Sequence, residues 1–355
     1  MAERVLTERE LNRALLARQL LLRRQRLPVV RAVERVGALQ AQWPPSPYLA
    51  LWSRLDAFDK AALMRAVERR RLVKTTLMRA TLHLVSAADY LAYGGLIRAA
   101  RTRSLVTQAS RDGIVEQVEM LAPRALELVS SQPRSRPELL ELLGLPKLRL
   151  DDRRPWVFWH LLTARAALVH SPEGSVWRKT TGGTKFVPAA SWLGGDGGGG
   201  EEAAVWLVRR YLAAFGPATR ADAAKWTGLA RITLEPGFAR LELRRFRDER
   251  GGELFDLPRA PLPSADVRPP VRFLPMWDSA LLAHADRTRI LPDAYRRTVI
   301  RPNGDVQPTF LVDGFVAGTW RVEGGCVEVE PFAPLPARAR RELEDEASRL
   351  AAFHA

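Results

Sequence analysis

Two glutamines one residue apart, Gln40 and Gln42 around Ala41, are the side chains whose type and spacing first suggest chemistry. Pro44, Pro45 and Pro47 follow closely and bar a helix there, so an extended backbone is expected through the pair. In an extended chain residues two apart share a face, whereas in a helix they diverge by about 200°. Both carboxamides can then converge on one point, shielded by Leu39, Trp43, Tyr48, Leu49, Leu51 and Trp52. A buried carboxamide is costly unless its hydrogen bonds are met. It is not a competent general base near neutral pH, so such a pair can orient a small polar partner but not deprotonate it. By spacing alone, the ordinary reading is two amides that bond backbone at a module junction.

The elements that must position this pair follow a repeated order. Residues 4–27 read as a helix with a Thr7–Glu10 capping box, stopped by Pro28, and residues 29–38 as a second, short helix. A helix over 59–70, with Asp59 near its start, leads into two strands around Met78–Ala80. Helices followed by a hairpin is the winged-helix order. It recurs in 122–132, 136–143 and 154–167 before a wing at 170–188. It recurs again in 201–229, where Thr219 is the expected N-cap, before a hairpin turning at 248–252 within 239–258. Farther on, turns at Asn303–Gly304, Asp313–Gly314 and Gly324–Gly325 divide strand-like runs, and a terminal amphipathic helix spans 336–353. The expected fold class is α+β: three tandem winged-helix modules and a C-terminal β-rich, barrel-like subdomain. The boundaries are 1–100 with the glutamine pair, 101–193, a flexible Gly-rich linker at 194–202, then 203–262 and 263–355.

Composition narrows the function classes. The net charge is +15, and 49 of the 55 basic residues are arginine, the others being lysine. Such a balance suits a polyanion partner, although arginine, alanine, glycine and proline together also mark a GC-rich genome. One cysteine, Cys326, excludes an intramolecular disulfide and cysteine-based zinc or iron–sulfur sites. The five histidines lack metal-ligand spacing, so no metal and no cofactor are expected. No apolar run is long enough for a membrane span, and the N-terminus reads as a polar helix rather than a signal peptide. A cytoplasmic, nucleoid-associated protein without a membrane partner is expected. Nothing in the sequence suggests a coiled coil or swapped element, so a monomer is expected.

The stretches GALQAQWPPSPYLALWSRL and RLVKTTLMRATLHLVSAADY resemble the winged-helix DNA-binding family that contains AlkZ-type DNA glycosylases. So do RYLAAFGPATRADAAKWTGL, FLPMWDSALLAHADRTRI and PTFLVDGFVAGTWR, in the same order and over nearly the whole chain. That family carries a Gln–apolar–Gln signature, which Gln40, Ala41 and Gln42 match. The resemblance implies tandem winged helices curved around duplex DNA and excision of cationic alkylated purines, with monoadduct removal and crosslink unhooking both open. An N7- or N3-alkylated purine is already a good leaving group, so little acid catalysis is needed. Two carboxamide oxygens would hold a water at the anomeric carbon and meet the charge of an oxocarbenium-like transition state. The resemblance also places the RxTLH stretch near the active cleft, which makes Thr81, His83 and Trp43 candidate contacts. A satisfied structural histidine is the ordinary alternative for His83.

DNA contacts are expected to be mostly arginine to phosphate. The candidates are Arg178, Lys179 and Lys185 in the second wing, and Arg220 and Lys225 near the third helix pair. Arg244, Arg245 and Arg247 lie in the third hairpin, and Arg301 beside the Asn303–Gly304 turn. Asp278 is expected to cap a helix or to pair with Arg287, and Trp277 and Trp320 to pack in a core. The competing reading is a non-catalytic winged-helix regulator, which would recognise one operator sequence and release no base.

Overall fold

The computed structural model of the chain describes residues 3–109, 113–145, 153–177 and 183–354. A strand, β1 (Val5–Leu6), precedes helix α1 (Glu8–Arg18), whose Thr7–Glu10 capping box is present as expected. The helix stops well before Pro28, because Leu20 turns into the left-handed region at φ 58° and redirects the chain.

The first repeated unit comprises α2 (Val29–Arg35), β2 (Leu39–Gln40), α3 (Ser46–Arg54), α4 (Lys60–Glu68), β3 (Leu72–Thr76) and β4 (Leu82–Ser86). Asp59 caps α4 by accepting from the Ala61 N–H. Helix α3 corrects the expectation that the prolines bar helix. Pro47 lies in its first turn, where the missing N–H has no intrahelical acceptor. Helix α5 (Ala87–Ala109) then crosses to a second unit of the same order: α6 (Ile114–Ser131), β5 (Arg134–Ser135), α7 (Arg136–Leu142), α8 (Arg153–Arg165), β6 (Leu168–His170) and β7 (Lys185–Pro188). After α9 (Ala189–Leu193) comes the third, with α10 (Gly200–Phe215), α11 (Arg220–Thr227), α12 (Arg231–Arg240), β8 (Arg244–Asp248) and β9 (Glu253–Asp256). A single bridge, Ala218 to Phe255, stands where the other two units have their first strand.

Sheet pairing ties the units together. In the first, β2 pairs with β4 and β4 with β3; in the second, β5 pairs with β7 and β7 with β6. The two triplets join through β3 and β6 at Lys74 and His170, giving a six-stranded sheet in the order β2-β4-β3-β6-β7-β5. The third hairpin instead takes β1 as a parallel edge partner of β8. The second unit has its own core around Leu139, Phe158, Leu161 and Leu162. Leu15, Met78, Tyr93, Leu207, Trp226 and Leu274 belong to a larger core shared by α1, the first hairpin tip, α5, the third unit and the C-terminal part.

That C-terminal part holds β10 (Arg272–Leu274), α13 (Arg296–Val299), β11 (Thr309–Val312), β12 (Phe315–Glu323), β13 (Cys326–Pro331) and α14 (Ala337–His354). The four strands form an open antiparallel sheet in chain order, not the barrel-like closure expected from the turn spacing. Leu343 and Leu350 of α14 cover Phe273, Phe310 and Trp320, so one apolar sheet face is buried by a helix and closure is not needed. The Gly-rich segment, expected as a flexible linker, lies against α5. Gly198 donates its N–H to the Leu91 carbonyl (2.6 Å) and accepts from the Leu96 N–H (2.8 Å). Among the described residues no helix is long and apolar enough to cross a membrane.

Candidate active site

Strand β2 carries Gln40 into the sheet and pairs it with His83 of β4, and the Ala41 N–H continues the ladder by donating to the Leu82 carbonyl (2.8 Å). The backbone is therefore extended through Gln40 and Ala41, as the sequence suggests. Gln40 is 5% exposed, while Gln42 is exposed. Both carboxamide oxygens accept from the same short stretch of the first hairpin: Oε1 of Gln40 from Nη2 of Arg79 (2.9 Å), and Oε1 of Gln42 from the Leu82 N–H (2.8 Å). These donors fix which end of each amide is oxygen, and each oxygen keeps a second lone pair.

Arg79 is the residue bonded to Gln40 that sequence reasoning missed. It sits in the hairpin turn at φ 53°, followed by Ala80 at φ 56°. Its other terminal nitrogen donates to the Trp226 carbonyl (2.7 Å), so the tip of the first hairpin is anchored on the end of α11. Burial, and then the charge of Arg287, lower its pKa to about 10, which leaves it cationic near neutral pH. Its only sequence signal is its place in the RxTLH stretch.

His83 is fully buried. Its Nδ1 faces the Thr81 carbonyl at 3.0 Å and so bears the proton, and Nε2 has no partner among the described residues. Burial, and then the charge of Arg79, push its pKa down to about 3, so the ring is neutral. Thr81 donates to the Met78 carbonyl (3.1 Å) within the turn. Trp43 packs with the apolar cluster beneath β10, β12 and α14.

Beside Gln42 the two sheet-linked units enclose a cleft of about 540 Å³. Its lining includes Gln42, Thr75 and Arg101 on one side and Arg136, Trp156 and His160 on the other. No carboxylate lines it among the described residues. Arg101 bonds the Thr76 carbonyl (3.0 Å), and Arg136 is exposed at the start of α7. None of these four cleft residues from α5, α7 and α8 was a candidate from the sequence, because they come from helices far along the chain from the glutamines.

The expected DNA-contact residues divide. Arg178 and Lys179 lie outside the described residues. Lys185 is half-buried on β7 opposite Ser135. Arg220 stacks over Phe255 (4.1 Å) and meets Glu253 (3.3 Å) and Glu235 (3.4 Å). Arg245 also meets Glu253 (3.5 Å), and Arg247 meets Glu3 (3.1 Å), while Arg244 stacks on Phe246 (4.7 Å). Lys225 and Arg301 are exposed. Trp277 donates to the Gly304 carbonyl (3.1 Å), so the Asn303–Gly304 turn is anchored by a side chain expected in the core. Asp278 pairs with Arg54 rather than Arg287, through two bonds of 2.8 and 2.9 Å with both side chains buried. It also accepts from the Ala280 N–H (3.0 Å), a cap as expected. Trp320 is buried and donates to the Leu274 carbonyl (2.9 Å).

The family model described as DNA glycosylase AlkZ-like matches residues 33–353. The interstrand DNA cross-link repair glycosylase of Streptomyces sahachiroi is 28% identical over 345 residues, spanning 90% of this chain and 89% of that protein. The solved structure of the Streptomyces sahachiroi DNA glycosylase AlkZ superimposes with a TM-score of 0.80 at 24% identity, covering 98% of this chain and 97% of that one. At that identity the superposition is a likeness of fold.

Proposed function

Because the chain belongs to the AlkZ-like DNA glycosylase family, we propose that it hydrolyses the N-glycosidic bond of N7- and N3-alkylated purines in duplex DNA, with a water positioned by Gln40 and Gln42. The three units of helices followed by a hairpin are read as winged helices that grip the duplex. The relative named for interstrand crosslink repair extends the substrate class to crosslinks formed through such purines.

One observation carries the reading. Both glutamine oxygens are held by donors from a single hairpin stretch, Arg79 to Leu82, and one of the two amides borders an arginine-bearing cleft. The lone pairs left on those oxygens accept from a water and direct it at the anomeric carbon. As the bond to the purine breaks, the sugar gains positive charge and the carboxamide dipoles oppose it. The departing base leaves neutral, and the water, once bonded to the anomeric carbon, gives its proton to bulk solvent, which is why the pair suffices without a carboxylate for cationic lesions and does not suffice for uracil.

The test is release of free base from duplex DNA bearing N7-methylguanine, followed by detection of abasic sites. The double variant Gln40→Ala, Gln42→Ala is expected to lose release by about 100-fold or more, as when a preorganised polar group is removed from other active sites. Its affinity for DNA stays unchanged. Full release by that variant moves the chemistry to other residues, and no release by the native chain ends the proposal. Binding weakens steeply with added salt as phosphate contacts displace counterions.

A further inference from the structure

Trp156 and Trp159 share helix α8 but not its role. Both reach the wall of the cleft beside Gln42, but Trp159 is 6% exposed and belongs to the core of the second unit, whereas Trp156 is 37% exposed. Trp156 belongs to none of the apolar cores formed by the described residues. Its ring is braced by His160, one turn along the helix, with centroids 4.2 Å apart.

We infer that this cleft receives the damaged nucleobase of a monoadduct, which unlike a crosslinked purine is free to swing out of the duplex, and that the exposed face of Trp156 is the platform on which it stacks. The inference rests on the glycosylase reading and adds where the base goes and what selects it. A cleft of about 540 Å³ lies within the usual range of small-ligand sites, roughly 300–1,000 Å³, and so accepts a purine with an alkyl adduct. A base inside a duplex cannot reach side chains lining a cleft between two units, so occupation requires extrusion. An indole face attracts a cation more than a neutral ring of the same size. Burial and then the charge of Arg101 lower the His160 pKa to about 4, so the brace is neutral and adds no further charge to that of Arg101 and Arg136 on the same lining. The exposed Arg136, also on the lining, meets the phosphate beside the extruded nucleotide. Selection for a cationic base thus occurs at the platform as well as through leaving-group chemistry.

The test uses the full chain and two duplexes that differ at one position. One carries guanine, and the other carries N7-methylguanine on a 2′-fluoro sugar, which blocks cleavage. The native protein is expected to prefer the damaged duplex. Trp156→Ala loses about tenfold of that preference, the scale of one base–aromatic stack, and keeps its affinity for the undamaged duplex. Trp156→Phe retains most of the preference. With cleavable N7-methylguanine, Trp156→Ala raises KM by about the same factor and leaves kcat within about twofold. Three results overturn the inference: equal affinity of the native chain for both duplexes, an undiminished preference in Trp156→Ala, or an equal loss of affinity for both duplexes. Failure of the native chain to release base from the cleavable duplex instead overturns the glycosylase reading, so the two failures are distinct.

Discussion

Arg79 connects the glutamines to the rest of the molecule. Its fork bonds Gln40 in one direction and the Trp226 carbonyl in the other, across 39 and 147 residues of sequence. The Gln–Ala–Gln pair was legible because its signal is local, two like side chains on an extended backbone. Arg79 was not, because both of its partners are non-local and a turn arginine looks like surface charge. The same limit explains Asp278, for which the nearby Arg287 was the obvious mate. Its actual partner, Arg54, lies 224 residues away. In the proposed mechanism Arg79 acts through Gln40, as a positioning residue. Its φ of 53° suits glycine, so Arg79→Gly removes the guanidinium while leaving the turn relaxed. This variant is expected to lower kcat for base release by about tenfold or more with KM nearly unchanged, because an amide free to rotate misplaces the water. Arg79→Lys, which keeps the charge but not the fork, recovers only part of the loss. A rise in KM with kcat intact would instead assign Arg79 to DNA binding.

At the scale of elements, three rounds of helices followed by a hairpin were legible from periodicity and turn residues. The first strands of the units were not: β2 and β5 are two residues long, too short to alternate visibly. Pro236 and Gly237 disguise α12. The Gly-rich segment shows how composition misleads. Nine glycines and acids in a row read as a flexible tether, yet here the glycines permit close approach to α5. A Cβ on Gly95 would stand 2.4 Å from the Gly197 carbonyl oxygen, and one on Gly198 would stand 2.4 Å from that of Ala92. A Cβ on Gly199, whose φ is −137°, meets nothing. Gly95→Ala and Gly198→Ala are each expected to destabilise the chain by roughly 1–3 kcal/mol, the usual cost of overpacking. Gly199→Ala is near neutral. Thermal unfolding of the three variants checks this, and equal midpoints would mean the segment is undocked in solution.

Across the whole molecule, the basic charge that pointed to DNA is only partly available to it. Arg18 and Asp256 form a fully buried pair that ties α1 to β9, and Arg54 with Asp278 ties α3 to the C-terminal part. Histidine adds a pH dependence that composition did not reveal. His83 and His284 are buried outright, and His160 and His170 partly so. Burial is the main cause in every case, lowering the pKa to about 3 for His83 and His170 and about 4 for His160, with His284 also well below the usual value. Unfolded, each of these rings titrates near pH 6.5. Above that pH neither state binds the proton and stability is unaffected. As the pH falls below 6.5 the unfolded chain takes up protons that the folded one refuses, and stability is lost down to the folded pKa values. Each ring removes about 1.4 kcal/mol per pH unit over that window, so four together remove roughly 5.6 kcal/mol per unit. The unfolding midpoint is therefore expected to be level between pH 8 and 7 and to drop steeply from about pH 6 to 4.5. His83→Asn is expected to shallow the drop by about a quarter. A midpoint that stays level to pH 4.5 would mean that these rings accept protons within the fold, and that His83 is not the neutral neighbour of Gln40.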